Sequence, residues 1–381
     1  MKSVINLTKR RDRENLTGRI QRVTAFAAFV LIAIGAVFSI SSVASAQHYK
    51  KINLVSDLSS MAPVADTNLK NPWGIAHSTN GPWWVANNHT GVATVYDGTG
   101  QPFPGGTPLI VNIKSASGDN GPVTGTVFNS TNDFNVVTYK PAAFIFVSED
   151  GSISAWNPDV DPANAILMAH NPNAIYKGVT IANNGGANLL YVANFHESSV
   201  DVFDTNFGKV TLNKGAFVDK KIPDGYGPFN VQNIEGKIYV AFAKQSPDKV
   251  DEVAGPGLGF VDVFDTSGKL LRRLKHNINL NAPWAIVLAP SDFGKFSGRL
   301  LVGNFGSGRI AAYDTNNGNF KGLLRNRRGK PVVSEGLWGL GFGNGDKAGP
   351  VNTLFFAAGI NDEENGLFGT ITPTSKASQE N

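Results

Sequence analysis

Short apolar runs separated by polar turns recur along the whole chain, and no long stretch carries the spacing of an amphipathic helix. The clearest unit is Tyr191-Val192-Ala193-Asn194, a polar turn, and then Val200-Asp201-Val202-Phe203-Asp204. It reads as strand, turn, strand. The same unit returns at Trp84-Val85-Ala86-Asn87 with Val95-Tyr96-Asp97, and at Tyr239-Val240-Ala241-Phe242 with Val263-Phe264-Asp265. Leu301-Val302-Gly303-Asn304 leads likewise to Ala312-Tyr313-Asp314. Weaker copies begin at Phe146 and Phe355, so six units follow one another at intervals of roughly 45 to 62 residues.

Each unit is preceded by a short run rich in small residues. These are Pro72-Trp73-Gly74-Ile75, Gly125-Thr126-Val127-Phe128, Gly178-Val179-Thr180-Ile181, Pro228-Phe229-Asn230-Val231, Pro283-Trp284-Ala285-Ile286 and Leu337-Trp338-Gly339-Leu340. A further apolar run follows each of the first five units: Leu109-Ile110-Val111, Ile166-Leu167-Met168, Ala216-Phe217-Val218, Leu270-Leu271 and Leu323-Leu324. Four strands per repeat predict an all-β fold, a six-bladed β-propeller of four-stranded blades, with the small-residue strand innermost where backbones crowd the axis. The sixth repeat stops one strand short. The unassigned run Tyr49-Lys50-Lys51-Ile52-Asn53-Leu54-Val55 is expected to complete it, pairing with residues about 367–372 and closing the ring. The organisation predicted is a leader at 1–46, the propeller at 47–372 and a disordered polar tail at 373–381.

Charge changes the picture only at the N-terminus. The first 22 residues hold seven basic and two acidic side chains; removing them from the 34 basic and 30 acidic residues of the chain leaves 27 and 28, a net of −1. A basic start, the apolar stretch Val23 to Ile40 and the small-x-small run Ala44-Ser45-Ala46 have the order of a secretory signal peptide, with Gln47 as first mature residue. Export by the general secretory route to the periplasm or beyond the cell follows, with no membrane span after cleavage; an uncleaved anchor is the competing reading. With no basic excess left, a nucleic-acid partner is not expected, and Arg325-Asn326-Arg327-Arg328 reads as a solvated loop. The chain has no cysteine, which removes thiolate metal sites and cysteine nucleophiles.

The pattern Pro72-Trp73-Gly74-Ile75, Val85-Ala86-Asn87, Val95-Tyr96-Asp97 resembles six-bladed propellers of the NHL type and their regucalcin and gluconolactonase relatives. The longer run from Asn71 to Gly91 also resembles a family of exported bacterial proteins. Fold and export are what this resemblance implies; activity is left open, because propellers host many functions.

Candidate chemistry concentrates on the connections 57–72, 113–123, 219–228, 243–259 and 324–337, which one end of a propeller would gather round its axial channel. Asn87, Asn194 and Asn304 hold equivalent turn positions, either as turn formers or as a ring of amides at the channel mouth. Trp73, Trp284 and Trp338 are likewise equivalent, as wedges between blades or as a stacking platform for a flat ligand. His89 and His196 follow two of the asparagines and have the chemistry of metal ligands or of an acid and base. The resemblance to the lactonases implies one divalent cation at the axis, such as calcium, for which Glu335 and Asn230 are the matching oxygen donors. Three functions are therefore carried forward: a propeller binding a small molecule or a protein, a metal-assisted lactonase-type hydrolase or lyase, and a structural envelope or matrix component.

Overall fold

The computed structural model describes residues 48–105 and 108–374. The expected leader, its cleavage site and Gln47 lie outside these residues, as does the tail from 375 onward.

Strand β1 (His48–Ser56) opens the fold with a short parallel partner, β2 (Val64–Ala65). An antiparallel meander follows: β3 (Pro72–His77), β4 (Trp83–Asn87), β5 (Val92–Tyr96) and β6 (Ile110–Ile113). The next begins with β7 (Val123–Phe128), carries a side hairpin of β8 (Asn135–Val137) and β9 (Lys140–Pro141), and continues as β10 (Phe144–Ser148), β11 (Ser152–Trp156) and β12 (Asn164–His170). The third contains β13 (Tyr176–Asn184), β14 (Ala187–Asn194) and β15 (Ser199–Phe203). Two four-stranded sheets come next, β16 (Tyr226–Ile234) to β17 (Lys237–Lys244), β18 (Gly259–Phe264) and β19 (Leu270–Arg273), then β20 (Pro283–Leu288) to β21 (Leu300–Asn304), β22 (Ile310–Tyr313) and β23 (Phe320–Leu323). The last is β24 (Leu337–Phe342), β25 (Leu354–Ile360) and β26 (Asn365–Thr374), with β1 beside β26. The first two meanders join into one eight-stranded sheet through a two-residue parallel pairing of β6 with β12.

All six small-residue runs are first strands of their sheets, and these strands neighbour one another in the cyclic order β3, β7, β13, β16, β20, β24 and back to β3. Glycine makes this crowding possible. A Cβ on Gly74 would meet the Thr126 nitrogen at 2.7 Å, one on Gly125 the Gly178 Cα at 2.9 Å, and one on Gly178 would overlap the Asn230 side chain. Each clash is with the next strand of the ring.

The expected pairing of the N-terminal run with residues 367–372 is observed. Strand β1 runs antiparallel to β26 from His48 opposite Thr374 to Ser56 opposite Leu367. Strand β26 thus continues two residues past the expected end. One fourth strand is not formed: Ala216-Phe217-Val218 is a turn, and the third sheet has three strands. Phe217 is left-handed (φ 57) and donates its N–H to Gly268, which turns its ring into the core against Tyr191 and Phe264. Apolar content alone suggests a strand there; the positive φ breaks it. Among the described residues no helix is long and apolar enough to cross a membrane.

Candidate functional site

All six pairings of a first strand with its second carry a register shift at the same end. A bulge of this kind re-aims a side chain out of the strand's alternation. The residues set into the bulges are Trp73, Thr124, Lys177, Phe229, Trp284 and Trp338. Four are aromatic and converge. Trp73 stacks on Trp338 with ring centroids 3.5 Å apart, and Trp284 meets both edge-on at 6.2 and 5.8 Å. Phe229 and Phe305 pack on Trp338, and Phe195 on Phe229. This cluster closes the axis at the end where the second-to-third-strand turns lie. Beneath it a cavity of about 30 Å³, lined by all six first strands, has room for about one water. At the opposite end the axis opens into a hollow of about 240 Å³.

Lys177 is the cation in this ring of aromatics. It is 1% exposed, with Nζ 5.1 Å from the centre of the Trp73 ring and 5.8 Å from that of Phe195. A buried ammonium needs counter-charge, and the turns of other repeats provide it. Nζ lies 2.5 Å from a carboxylate oxygen of Glu149 and 3.9 Å from one of Asp251. Glu149 is itself held by the amide of Asn88 at 2.9 Å. Burial works against the charge of Lys177, but Glu149 and then Glu252 outweigh it and its pKa is raised. A lysine held so firmly protonated is a poor nucleophile or base.

The carboxylates exceed the cation. Burial pushes the Glu252 carboxyl up to about 7 against the opposing pull of Lys177. Burial also raises Glu363, whose surroundings include Asn71, Glu149, Lys177 and His89. One Glu363 oxygen, Oε1, is buried with no hydrogen-bond partner, as is Nε1 of Trp73. The other two indoles are satisfied: Trp338 donates to Asn71 Oδ1 at 3.1 Å and Trp284 to the Lys177 carbonyl at 3.0 Å. Four carboxyls from three repeats therefore face one ammonium, at the end of the axis where the long connections gather.

The residues singled out from sequence fall around this centre with unequal roles. Asn87, Asn194 and Asn304 are fully buried, and their amides serve their own sheets. Asn87 donates to Val92 and Thr94, Asn194 to Glu197 and Asp201, and Asn304 to Arg309 while accepting from the Asn281 N–H. This is the turn-forming role, and no ring of free amides results. Trp73, Trp284 and Trp338 do converge, but on one another, which leaves a closed cluster in place of a stacking platform. His89 is exposed, 3.4 Å from the Asn71 amide, whereas His196 stands beside Asp248, so the two histidines have separate neighbours.

The metal donors do not assemble. Asn230 donates its amide N–H to the Trp284 carbonyl and accepts the Val231 N–H on its oxygen, while Glu335 is exposed and accepts from the Asp362 N–H at 3.4 Å. Among the described residues no three His, Asp or Glu side chains are arranged to hold a metal ion. The residues present do not fit the lactonase-type cation, and Lys177 already holds positive charge at the axis.

Sequence reasoning missed Lys177, Glu149, Glu252 and Glu363. One signal exists for the lysine: matching Gly178 to Gly74 sets Lys177 at the position of Trp73. The glutamates have none, since they lie in turns of different length.

The chain is similar in sequence to proteins of a virus. Two from Acanthamoeba polyphaga mimivirus, Uncharacterized protein R648 and Uncharacterized protein L690, are 35% and 34% identical over 334 and 337 residues. Each alignment spans 84% of this chain, and 80% and 85% of the respective relative. The chain belongs to their family. The relatives are thus viral, where the sequence pattern suggests exported bacterial proteins. No family model matches the chain. Among solved structures, an α-L-arabinofuranosidase from Fusarium graminearum aligns over 85% of this chain and 97% of its own, with a TM-score of 0.51 at 10% identity. A streptogramin B lyase aligns over 86% and 98% with a TM-score of 0.49 at 12% identity. The likeness to the arabinofuranosidase, at that identity, is one of fold alone, a β-propeller.

Proposed function

We propose that the protein is an exported six-bladed β-propeller that binds a cationic group at the Lys177 end of its axis. Six repeats, the cyclic order of the first strands and the β1–β26 pairing support the six-bladed reading. The basic, apolar and small-residue order of residues 1–46 supports export. N-terminal sequencing of the protein recovered from the medium or periplasm tests this; a chain still carrying Val23 to Ile40 overturns it.

One observation carries the binding reading. Glu149, Glu252 and Glu363, from turns of three repeats, meet at Lys177 and leave negative charge in excess of the single ammonium. Burial keeps protons on part of that excess near neutral pH. An incoming ammonium or guanidinium would replace those protons, pair with the unpartnered Glu363 oxygen and discharge the site. The partner class is an amine or the basic side chain of a protein. Calorimetric titration with spermidine in two buffers of different ionisation enthalpy is the test. Saturable binding with proton release near pH 7 is expected, with both lost in the Glu252→Gln, Glu363→Gln double variant. Absence of binding, or binding unchanged in that variant, overturns the assignment.

A further inference from the structure

A hollow of about 860 Å³ lies away from the axis, between β1 and the loop that follows β23. Its walls carry Lys50, Lys51, Arg327 and Arg328, with Pro331 and Val332 among the apolar residues between them. Among the described residues, no aspartate or glutamate lines it. The chain from residue 23 onward has 28 acidic residues against 27 basic ones, so this one-sided lining is local, not a consequence of composition.

The groove is held in shape. The Tyr49 N–H donates to the Arg325 carbonyl at 2.9 Å, and Lys51 Nζ to the Val333 carbonyl at 3.0 Å, which together clamp the loop against β1. The buried Tyr49 hydroxyl donates to the Phe293 carbonyl and accepts from the Phe296 N–H, fixing that wall. Asn326 Oδ1 accepts the N–H groups of Arg328 and Lys330, which sets Arg327 and Arg328 at the tip of a tight turn. Lys51 is half-buried, and burial alone moves its pKa, downward. Neither Lys50, Lys51 nor Arg328 makes an ion pair among the described residues. Like charges as close as Lys50 and Arg328, neither with a carboxylate partner among the described residues, repel one another, and an anion between them would relieve that repulsion.

We propose that this groove binds a small ligand bearing two or more oxyanions, phosphate or sulfate. Arginine and lysine together suit such groups, the first by paired N–H donors and the second as a point charge. Among the described lining residues no exposed aromatic ring offers a base a stacking surface, which separates this site from a single-strand nucleic-acid groove. The inference is independent of the axis site.

The test is calorimetric titration of the full chain with inorganic pyrophosphate and, separately, with a sulfated disaccharide, which distinguishes the two oxyanion sources. Saturable one-to-one binding of at least one is expected, weakened about tenfold or more between about 50 mM and about 0.5 M salt. The Lys50→Gln, Arg328→Gln double variant should weaken it about tenfold or more, since two charge-assisted contacts are lost, with an unchanged thermal midpoint. Lys140→Gln, at an exposed ion pair with Asp159, should leave it intact. No saturable binding of either probe, equal loss in the Lys140 variant, or binding of a single-stranded oligonucleotide alone overturns the proposal. The Glu252→Gln, Glu363→Gln variant should bind both probes normally, so failure here and failure at the axis are separable.

Discussion

The axis and the rim handle positive charge in opposite ways. At the axis, Lys177 is enclosed, stacked over Trp73 and faced by Glu149, Asp251 and Glu252. At the rim, Lys50, Lys51 and Arg328 stand in a groove with no carboxylate among its described lining residues. The physical reason is solvation. A fully buried ammonium loses its water and is tolerable only with counter-charge, whereas a cation in a wet groove is screened and can remain unpaired. Positive charge at the axis is therefore already engaged and its surplus is negative; at the rim the surplus is positive.

The comparison can be broken at several points. The largest effect should come from deleting residues 47–58, which removes β1 together with the rim's Tyr49, Lys50 and Lys51. The edge of β26 would be bare, and the loss should approach the whole stability of about 5–15 kcal/mol of a typical domain, seen as a missing cooperative transition and aggregation. Next is Lys177→Met, which leaves the partly buried Glu149 and Glu252 without their cation. A loss of about 3–5 kcal/mol in urea denaturation is expected. Lys51→Met, by contrast, should change stability by about 1 kcal/mol or less. If the two lysines prove equivalent, the contrast between axis and rim is wrong.

Smaller effects sharpen it. Gly178→Ala drives a methyl into Asn230 of the neighbouring first strand, an overpacking expected to cost about 1–3 kcal/mol in the same measurement. The pH dependence should carry the signature of Glu252. Its folded carboxyl titrates near 7, above the ordinary 4.5, so the folded state holds a proton that the unfolded chain has released between those values. The stability this provides is present at low pH and is lost as pH rises from about 4.5 to about 7. Subtracting the Glu252→Gln stability profile should isolate that slope; a flat difference would show the carboxyl to be ordinary. Glu335→Ala, at an exposed side chain, should stay within about 0.5 kcal/mol of the parent.

Much of the architecture is legible in the order of residues alone. Strand alternation is a local property, so the six repeats, their first strands and the leftover run at 49–55 can be read directly, and the β1–β26 pairing follows from counting strands. The failure at Ala216-Phe217-Val218 has a local cause that residue type does not reveal, a phenylalanine in the left-handed region. The tryptophans are recognisably equivalent, but their equivalence says nothing about whether their faces stay open; that depends on three rings meeting at a common axis.

The asparagines and histidines illustrate the same limit. A side chain in a turn can serve its own sheet or face a shared centre, and only the hydrogen bonds decide: Asn87, Asn194 and Asn304 do the former. By itself the sequence determined the repeat, the strand order, the leader-like start and the position of a lysine where other repeats carry tryptophan. Tertiary structure alone brought Glu149, Glu252 and Glu363 to that lysine, and set Lys50 and Lys51 across from Arg327 and Arg328. Those partners are between about 28 and 280 residues apart in sequence. Charges so distant meet only once the repeats have packed side by side and β1 has paired with β26, and burial, which no residue carries in isolation, then decides which of them must be paired.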